Sequence, residues 1–165
     1  MQAAYDALLA DLTRACRQHY GDRLLSVAVY GSVGRGLPRP DSDVDLLIVA
    51  QGLADRHSLR LRDFRAVEDR LRPSLDAART AGLQPELSPV LMTPTELERG
   101  SMLLLDMTED ACILFDPQDC LAAALDRLRR RLRALGSRRV WLGNAWYWDL
   151  KPDYKPGDVF DLFAE

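Results

Sequence analysis

The stretch VAVYGSVGRGLPRPDSDVDLLIV, residues 27–49, decides how the chain is read. A β-rich apolar run (24–30, LLSVAVY) breaks at Gly31-Ser32 into an irregular loop of Gly, Pro and Arg. A second run (43–50, DVDLLIVA) then opens on Asp43 and Asp45. Side chains alternate along a strand, so the two aspartates share one side and Val44 takes the other. Two carboxylates roughly 7 Å apart on one strand resist joint ionisation in apolar surroundings unless a cation sits against them. Oxygen ligands on a short stiff strand suit Mg²⁺, which completes its shell with waters and substrate phosphates. Gly31 and Ser32 supply the complement. Backbone N–H groups at a strand-to-helix turn, with a hydroxyl alongside, make an anion site that glycine lets a phosphate approach closely. Arg35 is the nearest cation able to contact that phosphate.

The rest of the chain limits the reading from outside. Its 165 residues suit one domain with a real core, and 47% hydrophobic with 28% charged residues predicts folding rather than disorder. A formal net charge of −3 argues against coating nucleic acid by bulk charge. The opening residues carry Asp6 and Asp11 on an amphipathic pattern unlike a signal peptide, and no apolar run approaches the roughly 20 residues that span a bilayer. Cys16, Cys112 and Cys120 lack CxxC spacing. Reduced thiols, a cytoplasmic location and no membrane partner are therefore expected.

Apolar residues at helical spacing predict a first helix ending near Gly21 and a long one from Asp55 to about Ala81, kinked or divided at Pro73. LQPELSPVLM (83–92) reads as a third strand that Pro85 and Pro89 push to a sheet edge or bulge. Thr93, Pro94 and Glu96 form the signature of a capping box. ACILFDP (111–117) reads as a fourth strand, and a further helix follows with Leu121, Leu125, Leu128, Leu132 and Leu135 on one side and its arginines facing solvent. The fold class is α/β (α+β), a mixed sheet with flanking helices. A core of residues 1–116 is followed by a helix and Trp-rich tail, 117–165, packed on it. There Trp141, Trp146, Trp148 and Phe160 are expected to cover the core between two Lys/Pro turns, and a sharper view brings Lys151 or Lys155 to a phosphate. His19 and His57, at helix ends, read as cap or surface residues.

GS, ten intervening residues, then DxD running into an apolar strand resembles the signature of the nucleotidyltransferase superfamily that includes DNA polymerase beta, and most closely its minimal branch. The resemblance implies a mixed-sheet palm, an NTP substrate (ATP first), Mg²⁺, and transfer of a nucleoside monophosphate to an acceptor hydroxyl. It implies that Gly31, Ser32 and Arg35 hold phosphates and that Asp43 and Asp45 hold metal. Val33 stands where the family pattern often has a first arginine. A third acidic residue from a later strand completes such sites, and Glu86 is the candidate for ligand and base. Asp106 and Asp110 are poorer, since both precede the fourth strand, and Asp41 sits in the loop.

The acceptor is open between protein, RNA and small molecule. Small members of this branch often sit in toxin–antitoxin pairs and modify a HEPN-fold partner, which favours a protein acceptor. A catalytically silent nucleotide-binding module and an antibiotic-type transferase are the alternatives. The dense aromatics also allow a homo-oligomer or partner surface.

Overall fold

The computed structural model describes residues 2–143 and 145–163. Helix α1 (Gln2–Tyr20) and a single 3-10 turn lead into β1 (Leu24–Tyr30), the four-residue α2 (Gly31–Gly34) and β2 (Val44–Ala50). Helix α3 (His57–Thr80), β3 (Leu87–Met92), α4 (Pro94–Arg99), α5 (Leu103–Asp110), β4 (Cys112–Phe115) and α6 (Cys120–Leu135) follow, and a hairpin, β5 (Arg138–Leu142) and β6 (Ala145–Asp149), closes the order. The main sheet runs β3-β2-β1-β4, with β2 and β3 parallel and the other pairs antiparallel.

Both faces of this sheet are covered, which is why its central strands are almost continuously apolar rather than alternating. On one face α1 and α3 bury Tyr5, Leu8, Leu12, Phe64, Val67 and Leu71 against Val27, Val29, Leu46 and Ile48. On the other, α4, α5 and α6 bury Leu97, Leu104, Met107, Leu121 and Leu125 against Ala28, Leu47 and Val49. Asp45 shares parity with Leu47 and Val49, so the acidic end of β2 opens on the α5 side.

Three expectations need correction. Helix α3 is not divided at Pro73, which lies within it on the exposed side, where water can satisfy the carbonyl one turn back. Ser74 next to it hydrogen-bonds Asp11 of α1 at 2.6 Å. The third strand begins at Leu87, so Glu86 stands immediately before it rather than on it. Pro85 has no N–H to extend the ladder, although Gln84 N–H donates to Pro40 O and Val44 N–H to Glu86 O. Finally, Trp141 is 56% exposed and does not cover the core. The tail forms its own two-stranded sheet, in which Trp141 packs on Trp146.

The capping box at α4 is present, Thr93 Oγ1 accepting from Glu96 N–H and the Glu96 carboxylate accepting from Thr93 N–H. The same carboxylate takes a bidentate bond from the buried Arg60, at 2.6 and 2.9 Å. Arg60 chiefly, then the cap, holds Glu96 down at about 2. A depressed acid contributes stability above its unfolded value and loses it as pH falls through its folded one. Glu96→Gln, with the side chain 40% exposed, is therefore expected to lower stability by only about 1 kcal/mol at neutral pH. In urea titrations that difference between wild type and variant should close between about pH 4.5 and about pH 2.

Candidate active site

The turn after β1 and the start of β2 meet face to face. Tyr30 and Asp45 are cross-strand partners, and α2 begins at the next residue, Gly31. A Cβ on Gly31 would lie 2.3 Å from Asp45 Oδ2, so the carboxylate rests directly on the glycine's α-carbon. The backbone there has φ +64°, a region glycine enters freely. Gly34, at the other end of α2, is pressed against backbone: its Cβ would stand 2.4 Å from Asp110 O and 2.8 Å from Val29 O. The turn is wedged between β2 and α5 by two positions that admit no side chain.

Electrostatics couples the same residues. Burial raises the Asp45 carboxyl above its usual range, the neighbouring Asp43 charge raises it further, and Arg35 opposes both. Tyr30 is raised by burial and then by Asp45. Arg35 is already engaged, its Nη1 donating to Asp110 Oδ2 at 2.6 Å. Gly31, Ser32 (the next residue of α2), Arg35, Asp43 and Asp45 thus form one neighbourhood. The parallel ladder begins at Val44 with Leu87 and continues through Asp45 with Ser88. Glu86 stands one residue before it, its carbonyl accepting from Val44 N–H, and lines a groove with Glu68, Asp69, Arg72 and Arg79 of α3. Among the described residues no three His, Cys, Asp or Glu side chains converge as a metal cage.

Tyr5 and Ser42, not singled out in the sequence, support the site. The Tyr5 hydroxyl lies 3.0 Å from Arg39 O and 3.2 Å from Ser42 O, tying the loop before Asp43 to α1. Ser42 is itself buried and accepts from Arg39 N–H at 2.8 Å. Asp110 is 4% exposed and pairs with Arg139 as well as Arg35. Lys151 is engaged in the tail's own turn with Asp153 at 2.9 Å and Asp158 at 3.4 Å.

The family model of the nucleotidyltransferase domain matches residues 9–102, more than half of the chain. The chain belongs to the nucleotidyltransferase family. It is accordingly a nucleotidyltransferase enzyme, and the matched segment holds β1, the Gly-Ser turn, the acidic strand β2 and β3. A Methanocaldococcus jannaschii protein named "Putative protein adenylyltransferase MJ1305" is 28% identical over 124 residues, 74% of this chain and 79% of that one. The fold resembles spectinomycin adenyltransferase AAD(9) from Enterococcus faecialis, solved with ATP and spectinomycin, at a TM-score of 0.53 and 15% identity, covering 78% of this chain and 65% of that one. A toxin-antitoxin crystal structure with AMP-PNP matches at a TM-score of 0.45 and 14% identity over 78% of this chain and 92% of that one. Among the described residues of this nucleotidyltransferase no helix is long and apolar enough to cross a membrane.

Proposed function

We propose that the enzyme transfers a nucleoside monophosphate, AMP in the first instance, from an NTP to a hydroxyl on a partner protein, using Mg²⁺. The observation that carries this reading is the Asp45 carboxylate resting on Gly31, with Asp43 close enough to raise it. The protein acceptor is supported by the named activity of the Methanocaldococcus jannaschii relative. A HEPN-fold partner in a toxin–antitoxin pair is the specific form that the motif resemblance favours.

The donor set fits the metal. Asp43 and Asp45 are hard oxygen ligands carrying two negative charges, and the one cation felt by Asp45, Arg35, is shared with Asp110. Two carboxylates suffice, since Mg²⁺ characteristically takes one or two from protein and the rest from phosphate and water. Asp43 and Asp45 would hold it, and when bound it supplies charge neutralisation at the phosphates and acidifies the attacking hydroxyl.

The chain's own residues do the rest. The first-turn amides of α2 and the Ser32 hydroxyl bind the triphosphate, Gly31 leaves the space, and Arg35 neutralises it from the side. Glu86 accepts the proton of the acceptor hydroxyl as the hydroxyl oxygen bonds to the α-phosphorus. The bond from that phosphorus to the bridging oxygen breaks, and pyrophosphate leaves.

The test is incubation of the purified chain with each α-labelled NTP and Mg²⁺ in lysate. The expected result is label from ATP on a protein band, with a helical partner protein encoded nearby as the first acceptor to examine. Label confined to RNA or to small molecules, or none, would remove the protein-transfer reading. Glu86→Ala is expected to lower kcat about 100-fold with the ATP KM little changed, while Ser88→Ala is silent. Equal rates for Glu86→Ala and wild type in a single-turnover assay would dismiss Glu86 as the base.

A further inference from the structure

The β5–β6 hairpin lies outside the segment matched by the family model, yet one of its faces reaches Arg35. Register pairs Arg139 with Trp148 and Trp141 with Trp146, which puts these four side chains on one face. Asp110 holds two arginines, one on each oxygen: Arg35 Nη1 at 2.6 Å and Arg139 Nη1 at 3.0 Å. The Trp146 ring faces the same two guanidiniums, 5.2 Å from the Arg35 Cζ and 4.7 Å from that of Arg139. The ring is fixed in turn, because the indole N–H groups of Trp146 and Trp148 both donate to Asp106 Oδ1 at 2.9 Å. Asp106 and Asp110 are one turn apart on α5, so one helix anchors both the rings and the arginines.

As a stabilising device the arrangement is poor. Two guanidiniums share one buried carboxylate, and the Arg139 Nε is buried without a hydrogen-bond partner. Buried ion pairs seldom exceed a hydrophobic replacement in stability, so the cluster points to another use. Its geometric effect is to fix the side chain of Arg35 at the end of the Gly31–Ser32 turn, where Arg35 directly follows α2 and its backbone N–H donates to Gly31 O.

We propose that the hairpin is a working part of the nucleotide site. Asp110, Arg139 and Trp146 are positioning residues that hold Arg35 toward the triphosphate, and hairpin docking sets NTP affinity rather than the chemical step. This rests on Arg35 contacting the triphosphate, as in the function proposed above.

A double-mutant cycle on the full chain tests it, reading ATP KM and kcat in the labelling assay. Trp146→Leu should raise the ATP KM about 5-fold with a much smaller change in kcat, and should add nothing in an Arg35→Ala background. Trp146→Phe, which keeps a ring without the N–H, should restore most of the affinity. Arg139→Met gives a second cycle if Trp146→Leu does not fold. The same KM factor with and without Arg35, or a fall in kcat alone, overturns the proposal. Arg35→Ala with unchanged ATP KM also overturns it, leaving the transferase reading standing. A wild-type chain that transfers nothing removes that reading itself.

Discussion

Asp45→Asn is expected to abolish nucleotidyl transfer and, at the same time, to make the metal-free protein more stable. The two effects have one cause. Asp45 is held above the ordinary carboxylate range by burial and by Asp43, with Arg35 only partly offsetting them. An acid whose folded pKa is raised stabilises the fold below its unfolded value and costs stability as pH rises through the folded one. At neutral pH the ionised Asp45 is therefore a burden on the empty site, and the uncharged amide relieves it. The same amide is a poor Mg²⁺ ligand, and losing several kcal/mol of transition-state stabilisation corresponds to about 1,000-fold or more in rate. Thermal melts of wild type and variant, with and without Mg²⁺ and ATP, give the check. The variant should melt higher than wild type without ligand, and ligand should raise wild type only. A variant that melts lower at pH 7 and is still raised by Mg²⁺ with ATP would show that Asp45 is not at the centre of the site.

Gly31→Ala is the second large effect, and it separates geometry from stability. The new methyl would fall 2.3 Å from Asp45 Oδ2, the free end of a side chain, so the carboxylate swings aside rather than the backbone breaking. Together with the positive φ the substitution should cost about 1–2 kcal/mol in folding. Its effect on transfer should be far greater, about 100-fold or more, because catalytic groups misplaced by an ångström lose that much. Gly34→Ala is the contrast. There the methyl meets carbonyl oxygens of Asp110 and Val29 that cannot rotate away, so the fold itself should suffer. Denaturation midpoints beside single-turnover rates distinguish the two. A Gly31→Ala enzyme with normal rate would mean that the Asp45 carboxylate does not need its seat on the glycine.

The features legible in the chain are those whose partners lie close along it. The capping box spans Thr93 to Glu96, and the GS turn and DxD pair flank one loop. Their strands could be placed because β1 and β2 are antiparallel neighbours through that loop, which leaves Tyr30 opposite Asp45. Parity put Glu86 on the third strand, whose ladder in fact begins one residue later, at Leu87, after Pro85 with its missing N–H. Asp110 looked like a residue preceding a strand, and the tryptophans looked like cover for the core, which Trp148 is and Trp141 is not. Their roles depend on pairs 75 residues apart for Arg35–Asp110 and 29 for Asp110–Arg139. No local pattern encodes such pairings, since α5 and the hairpin meet Arg35 only through the tertiary packing.

By itself the sequence determined the class of chemistry: glycine and serine ending one apolar strand and alternate aspartates opening the next meet across a single short loop, and period-two geometry allows the acids one shared side. Only the tertiary structure decided what surrounds them. It placed Asp45 on the Gly31 α-carbon, started β3 one residue after Glu86, and brought Asp110, Arg139 and Trp146 around Arg35. The physical reason is range. Strand alternation and turn chemistry act over a few residues, whereas packing two layers of helices on a sheet sets which distant side chains share a charge.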